Sequence, residues 1–261
     1  MLTPEQRAAF AAQGWLVVRG VLDPERVATL ERALDELVPE DRYASGFAGR
    51  VVEIAGASQG SAVLAGNARD PRLTRLAAEA LGVRRLRLLQ DTVFIKPAAG
   101  GGRVEWHQDF SYFAFFERPD SLTLRVALTP CTRENGCLRV LGGSHAWGLQ
   151  GADLSFRAIS VDDALAAVPE RLREEARAAE VLVELAPGDV SLHHCLAFHG
   201  SAPNPTARPR KTLAMRFVDA DLRVVASRLP SAEAAAYLGA DAEGRPSGVT
   251  FPVVYDEGAA S

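Results

Sequence analysis

Trp106-His107-Gln108-Asp109 sets a histidine and a carboxylate one residue apart. In extended chain, side chains alternate between faces, so His107 and Asp109 point the same way and can share one metal ion. Imidazole plus carboxylate is one ligand short of the two-histidine, one-carboxylate set of non-haem Fe(II) oxygenases. HxD alone is a weak signal, and the missing histidine has to come from elsewhere in the chain.

The remaining histidines are His145, His193, His194 and His199. His145 closes a Gly-Gly-Ser-His turn and reads as a loop hydrogen-bonder. His193, His194 and His199 all fall in or just after an expected strand from Val190 to Phe198, where His193 and His199 share a face and His194 points the opposite way. Spacing alone leaves all three open. His199 is favoured by the Gly200-Ser201-Ala202-Pro203-Asn204 loop behind it and by Arg210, which starts the next strand from the same end. A metal-bound 2-oxoacid needs its far carboxylate held, and a guanidinium holds one with two parallel hydrogen bonds. Ser201 offers a hydroxyl to the same group, while Arg208 and Arg216 compete with Arg210.

These groups must be positioned by sheet. Leu86 to Ile95 is β-prone, Leu122 to Leu128 alternates, Arg133-Glu134-Asn135-Gly136 is a turn with Leu138 to Leu141 as its returning strand, and Val181 to Leu185, Val190 to Phe198 and Lys211 to Val218 complete the set. Helices come first. Thr3-Pro4-Glu5-Gln6 is a capping box for a helix ending at Gly14, Asp23-Pro24 opens a second with Val27, Leu30, Leu34 and Leu37 at helical spacing, and Asp70-Pro71 opens a third stopped by Gly82. Periodicity is lost over residues 40–66, which read as disordered or as a loop over a site. Residues 147–160 lack pattern and 161–179 read as a charged surface helix, so 147–180 is a candidate lid. The expected fold is α+β, mainly β: one domain over 1–261, with a helical front at about 1–82 and a cupin-like jelly-roll core at about 84–226.

Composition narrows the function classes. With 48% hydrophobic and 24% charged residues the 261-residue chain is ordinary globular material. A net charge of -4 argues against a nucleic-acid partner. No apolar run reaches spanning length and the start lacks a secretory pattern, so neither membrane nor export is expected and a cytoplasmic location follows. Cys131, Cys137 and Cys195 are too few and scattered for a disulfide framework and read as reduced and buried.

Taken together, Thr92-Val93-Phe94-Ile95-Lys96-Pro97, the HxD stretch, Glu134-Asn135-Gly136-Cys137-Leu138-Arg139-Val140 to Gly143-Ser144-His145, Pro187-Gly188-Asp189, His199-Gly200-Ser201 and Arg210 resemble the phytanoyl-CoA dioxygenase (PhyH) family over roughly Leu86 to Phe217. The resemblance implies a double-stranded β-helix with flanking N-terminal helices, Fe(II) held by His107, Asp109 and His199, and 2-oxoglutarate and O2 as co-substrates. It implies that Arg210 and Ser201 anchor the distal carboxylate of 2-oxoglutarate and that Lys96 contacts co-substrate or substrate. The expected reaction is hydroxylation of an unactivated C–H bond of a small molecule, as in natural-product tailoring, with succinate and CO2 released. Epimerisation, desaturation and oxidative cyclisation are alternative outcomes, and retention of Asp109 disfavours halogenation.

Arg125 departs from the pattern, since relatives often carry an aromatic residue there. Either it faces the cavity, binding an anionic substrate or supplementing Arg210, or it lies outward on the sheet surface. Phe110, Tyr112 and Phe113 suit an apolar substrate wall. Two rivals of other classes remain, a non-catalytic cupin-like metal- or ligand-binding protein and a zinc hydrolase; the first has no need of Arg210, and the second requires a general base that the sequence does not supply.

Overall fold

The computed structural model describes residues 1–39, 51–150, 170, 173–174, 179–241, 243–248 and 250–259. Helix α1 (Pro4–Gln13) is fastened by the reciprocal Thr3/Gln6 capping box and ends at Gly14 with φ 70°. Strand β1 (Trp15–Val18) follows, then α2 (Pro24–Leu37), capped by the Asp23 carboxylate on the Arg26 amide. Its stripe of Val27, Leu30, Ala33 and Leu34 is buried. The 40–66 expectation needs correction where it is described. Residues 51–66 carry strand β2 (Val52–Ala55), the one-turn helix α3 (Ala57–Gly60) and most of α4 (Ala62–Ala68). Elements this short show no period in sequence, and α3 is held from a distance by Asp91, which accepts from the Ser58 amide at 2.6 Å and hydroxyl at 2.8 Å. Helix α5 (Pro71–Leu81) ends at Gly82 as expected.

The strands then build two facing antiparallel sheets. β3 (Arg85–Lys96), β5 (Ser121–Ala127), β8 (Val190–His194), β10 (Arg210–Asp219) and β11 (Val253–Asp256) join β1 and β2 in the major sheet, whose main path runs β1-β8-β5-β10-β3-β11. The minor sheet has the order β4-β9-β6-β7, from β4 (Val104–His107), β9 (His199–Ser201), β6 (Leu138–Leu141) and β7 (Glu180–Val183). This is the expected jelly roll with helices on one side. Leu124, Val126, Leu192, Leu213, Met215 and Phe217 pack outward against the helices, in one cluster with Leu30, Leu34 and Leu73. Strict alternation then turns Thr123, Arg125, His193, Arg210, Ala214 and Arg216 inward, between the sheets. β3 joins this pattern through a bulge. Gln90 pairs with Arg216 but Leu88 with Phe217, so Leu89 is the extra residue and the facing parity changes there, bringing Gln90, Phe94 and Lys96 inward.

Two strand readings are revised. β6 does not return along β5; it pairs with β7 and β9. Pro130, which has no amide proton to extend a ladder, and the loop beyond it carry the chain from one sheet to the other. Likewise Val190 to Phe198 is not one strand, because β8 stops at His194 and the Cys195-Leu196-Ala197 turn crosses to β9 in the minor sheet. Most of the surface helix and of the lid expected over 147–180 lies outside the described residues. The described start of that stretch is tied to the HxD motif: Gln108 donates to Gly148 O at 2.9 Å and accepts from the Gln150 amide at 2.8 Å.

Candidate active site

His107 ends β4 and His199 begins β9 directly opposite it. Gln108 keeps extended geometry (φ -113°, ψ 127°), so alternation carries through to Asp109, where a short 3-10 turn (Asp109–Tyr112) starts. Ligand atoms of His107, Asp109 and His199 lie within 4.8 Å of one another. His107 Nδ1 is 2.8 Å from Glu105 O and His199 Nδ1 is 2.9 Å from Ala197 O. A carbonyl only accepts, so each proton sits on Nδ1 and each Nε2 keeps its lone pair for a metal. The two Nε2 atoms stand 3.6 and 3.8 Å from Asp109 Oδ1. Burial, with His107 and His193 beside it, pushes His199 well below the usual imidazole range, towards the neutral form that can ligate.

Asp109 is oriented from the opposite sheet. Thr123 donates to its Oδ2 at 2.6 Å and Arg216 approaches Oδ1 at 3.4 Å. Burial pushes this carboxyl up, but Arg216, His199 and the contacts with His107 and His193 outweigh it and hold the group well below the ordinary range. Asp109 is therefore ionised and ready to ligate.

The other two histidines of the 193–199 stretch separate clearly. His193 projects from β8 with its Nε2 3.4 Å from Asp109 Oδ2, the oxygen turned away from His107 and His199, and its ring centroid is 4.2 Å from that of His199. It reaches the site from the major sheet, not by sharing a strand with His199. His194 turns aside, accepting from the Leu196 amide at 3.1 Å, and its ring lies 5.4 Å from that of His145. His145 itself is 3.0 Å from Ala11 O, bridging its loop to α1.

A cavity of about 540 Å³ opens beside His107, Asp109 and His199. Ser201 and Arg210 line it, as do Tyr112 and Phe113. Arg125 lines it too and is only 8% exposed, which overturns the sheet-surface alternative. Its position on β5 two residues after Thr123 dictates this, since the same alternation that aims Thr123 at Asp109 aims Arg125 between the sheets. Arg208 is exposed and drops out as a carboxylate anchor. Phe110 is not part of the wall. The 3-10 turn rotates it away from the direction of Asp109, and it packs in a second core with Leu89, Phe116, Leu196 and Val218. Lys96 is fully buried and off the cavity surface, its ammonium donating to Ala202 O. Tyr112 meets the His107 ring edge-on at 5.9 Å, and burial with Asp109 nearby pushes its phenol up to about 12. Thr123, Gln90 and Glu53 were missed as cavity residues. Parity along β5 would have found Thr123, whereas Gln90 depends on the β3 bulge and Glu53 on a strand too short to read.

Residues 10–212 match the phytanoyl-CoA dioxygenase (PhyH) family. The chain belongs to the phytanoyl-CoA dioxygenase family. It is 29% identical over 232 residues to an ectoine dioxygenase of Sphingopyxis alaskensis, covering 80% of this chain and 73% of that one. The match to human peroxisomal phytanoyl-CoA dioxygenase is 32% identical and takes in 50% of this chain but 38% of the human one. Among solved structures, the non-haem alpha-ketoglutarate-dependent epimerase SnoN of nogalamycin biosynthesis superposes with a TM-score of 0.75 at 28% identity, over 96% of this chain and 97% of SnoN. SnoN has also been solved with Fe3+, alpha-ketoglutarate and nogalamycin RO. This member of the phytanoyl-CoA dioxygenase family is accordingly an Fe(II)- and 2-oxoglutarate-dependent dioxygenase with O2 as the second co-substrate, and the non-catalytic and zinc-hydrolase readings fall away.

Proposed function

We propose that His107 Nε2, Asp109 and His199 Nε2 hold the iron, that Arg210 and Ser201 receive the distal carboxylate of 2-oxoglutarate, and that the enzyme hydroxylates a C–H bond of a small, largely apolar molecule of secondary metabolism. The observation that carries this reading is the convergence of two Nδ1-protonated imidazoles and an ionised carboxylate within 4.8 Å at the wall of the cavity. That donor set fits Fe(II), and facial ligation from one side leaves the cavity side for co-substrates. When bound, the iron with 2-oxoglutarate and O2 supplies an oxidant able to take hydrogen from an unactivated C–H bond, with succinate and CO2 as by-products.

The chain's own residues do the positioning. Thr123 fixes the Asp109 rotamer, and the Glu105 and Ala197 carbonyls fix the imidazole tautomers. Phe94, Tyr112, Phe113 and Leu138 give the cavity an apolar wall that excludes water and accepts a hydrophobic substrate. The whole-length likeness to SnoN supports a natural-product substrate, and the epimerase activity of SnoN keeps epimerisation as the second reading. We read residues 1–261 as one catalytic domain, since β1 and β11 both join the major sheet. We also read the enzyme as cytoplasmic, acting on a small molecule and not on nucleic acid or membrane. The net charge of -4 weighs against a nucleic-acid partner, and no helix among the described residues is long and apolar enough to cross a membrane.

Anaerobic addition of Fe(II) and 2-oxoglutarate will give a weak visible charge-transfer band that His199→Ala and Arg210→Ala each diminish. An unchanged spectrum in both variants rejects the assignment. Oxygen-dependent succinate release against a metabolite panel then identifies the substrate.

A further inference from the structure

Lys96, Arg125 and Arg210 form a cluster of three buried basic side chains on the inner face of three neighbouring strands. Lys96 and Arg210 are register partners across β3 and β10. Arg125, on β5, donates to Thr212 Oγ1 at 3.1 Å, and Thr212 stands two residues beyond Arg210 on β10. Their exposures are 0, 8 and 2% respectively. Like charges opposite one another in a sheet are destabilising, and buried charges are retained only when something compensates them. Among the described residues no carboxylate forms an ion pair with any of the three; Lys96 meets Ala202 O, and Arg210 meets Gly136 O while its Nε has no partner. Burial and the neighbouring guanidiniums push Lys96 down to about 6, and burial with Arg210 beside it pushes Arg125 down to about 10. This end of the cavity is built for an anion.

We propose that Arg125 is a second anchor for the distal carboxylate of 2-oxoglutarate, forming a two-arginine clamp with Arg210. The proposal rests on the iron and 2-oxoglutarate reading above. Arg125 is opposite Ala214 in register, and its guanidinium turns toward Thr212 and so toward the Arg210 end of β10, away from Arg216 and Asp109 at the other end. A co-substrate reaching from the iron ligands to Arg210 passes it. A carboxylate has about four lone-pair directions and one guanidinium fork fills two, which leaves acceptor capacity for the second arginine. The consequence is selectivity: 2-oxoacids with a distal carboxylate are favoured over those without one by more than Arg210 alone provides.

The test titrates the anaerobic Fe(II)-loaded protein with 2-oxoglutarate and with 2-oxopentanoate, which has the same chain length and no distal carboxylate, reading the charge-transfer band. Arg125→Met will weaken 2-oxoglutarate binding roughly 10- to 100-fold, the worth of a charge-assisted hydrogen bond, and leave 2-oxopentanoate within about twofold of the parent. Arg125→Lys, which keeps the charge but not the fork, will fall between. An unchanged 2-oxoglutarate affinity in Arg125→Met overturns the clamp and turns Arg125 toward the main substrate. Equal loss of both 2-oxoacids in both variants also overturns it, because Arg125 is then structural. Absence of any band in the parent protein overturns the iron and 2-oxoglutarate reading itself.

Discussion

Thr123, on the major sheet, donates its hydroxyl proton to Asp109 Oδ2 at 2.6 Å, while Asp109 Oδ1 faces the imidazoles of the minor sheet. One hydrogen bond across the jelly roll thus engages Oδ2 and leaves Oδ1 facing the two imidazoles, the oxygen that the proposed iron site would use. Thr123→Val keeps the shape and removes the donor. We expect iron affinity to fall about 10- to 100-fold, the usual cost of losing a partner of a metal ligand. Competition with a chelator checks this, and an affinity equal to the parent's would show that Asp109 is oriented without Thr123.

Lys96 makes the stability of the metal-free protein depend on pH. Its folded value of about 6 lies below its ordinary 10.5, because burial and the neighbours Arg210 and Arg125 disfavour the ammonium. Between those values the unfolded chain binds a proton that the folded chain has released. The cost of the buried charge is therefore fully present below about 6, and stability from this residue rises as pH climbs toward 10.5. Melting curves across that window will show the rise, and Lys96→Met will flatten it. A slope unaltered in the variant would place its origin elsewhere.

Gly136 supplies the carbonyl that Arg210 binds and sits at φ 71°. A Cβ there would collide with Ala202 O and come within 2.7 Å of Pro203 O, in the loop that also receives Lys96. Gly136→Ala should cost about 1–3 kcal/mol of stability through a strained left-handed backbone. It should weaken 2-oxoglutarate binding in parallel. Denaturant unfolding and the spectroscopic titration measure the two effects, and a fully stable variant with normal binding would contradict the contact.

Phe110 and Phe113 are three residues apart and have different tasks. Phe110 belongs to the second core, so Phe110→Ala should cost about 3–5 kcal/mol of stability. Phe113 lines the cavity and stacks beneath the Arg216 guanidinium at 5.9 Å. Phe113→Ala should raise the main substrate's KM with a smaller stability loss. Reversal of the two phenotypes would mean the 3-10 turn is set differently.

Much of this protein is determined by local sequence. The capping box of α1, the N-terminal Asp-Pro pairs of α2 and α5 and the glycines after α1 and α5 specify the front helices because each acts within a turn of chain. The HxD spacing determines that His107 and Asp109 face one way, and the alternation of β10 sets Arg210 and Arg216 on a face opposite Leu213 and Met215. Tertiary structure decided the rest. Which of His193, His194 and His199 stands opposite His107 depends on the break after His194 that sends β9 into the other sheet. The β3 bulge decides that Gln90 and Lys96 face inward, and the pairing of β5 with β10 buries Arg125 beside Thr212. These outcomes rest on contacts between residues far apart in the chain. Local pattern says which way a side chain points along its strand, and only the pairing of strands says what it meets there.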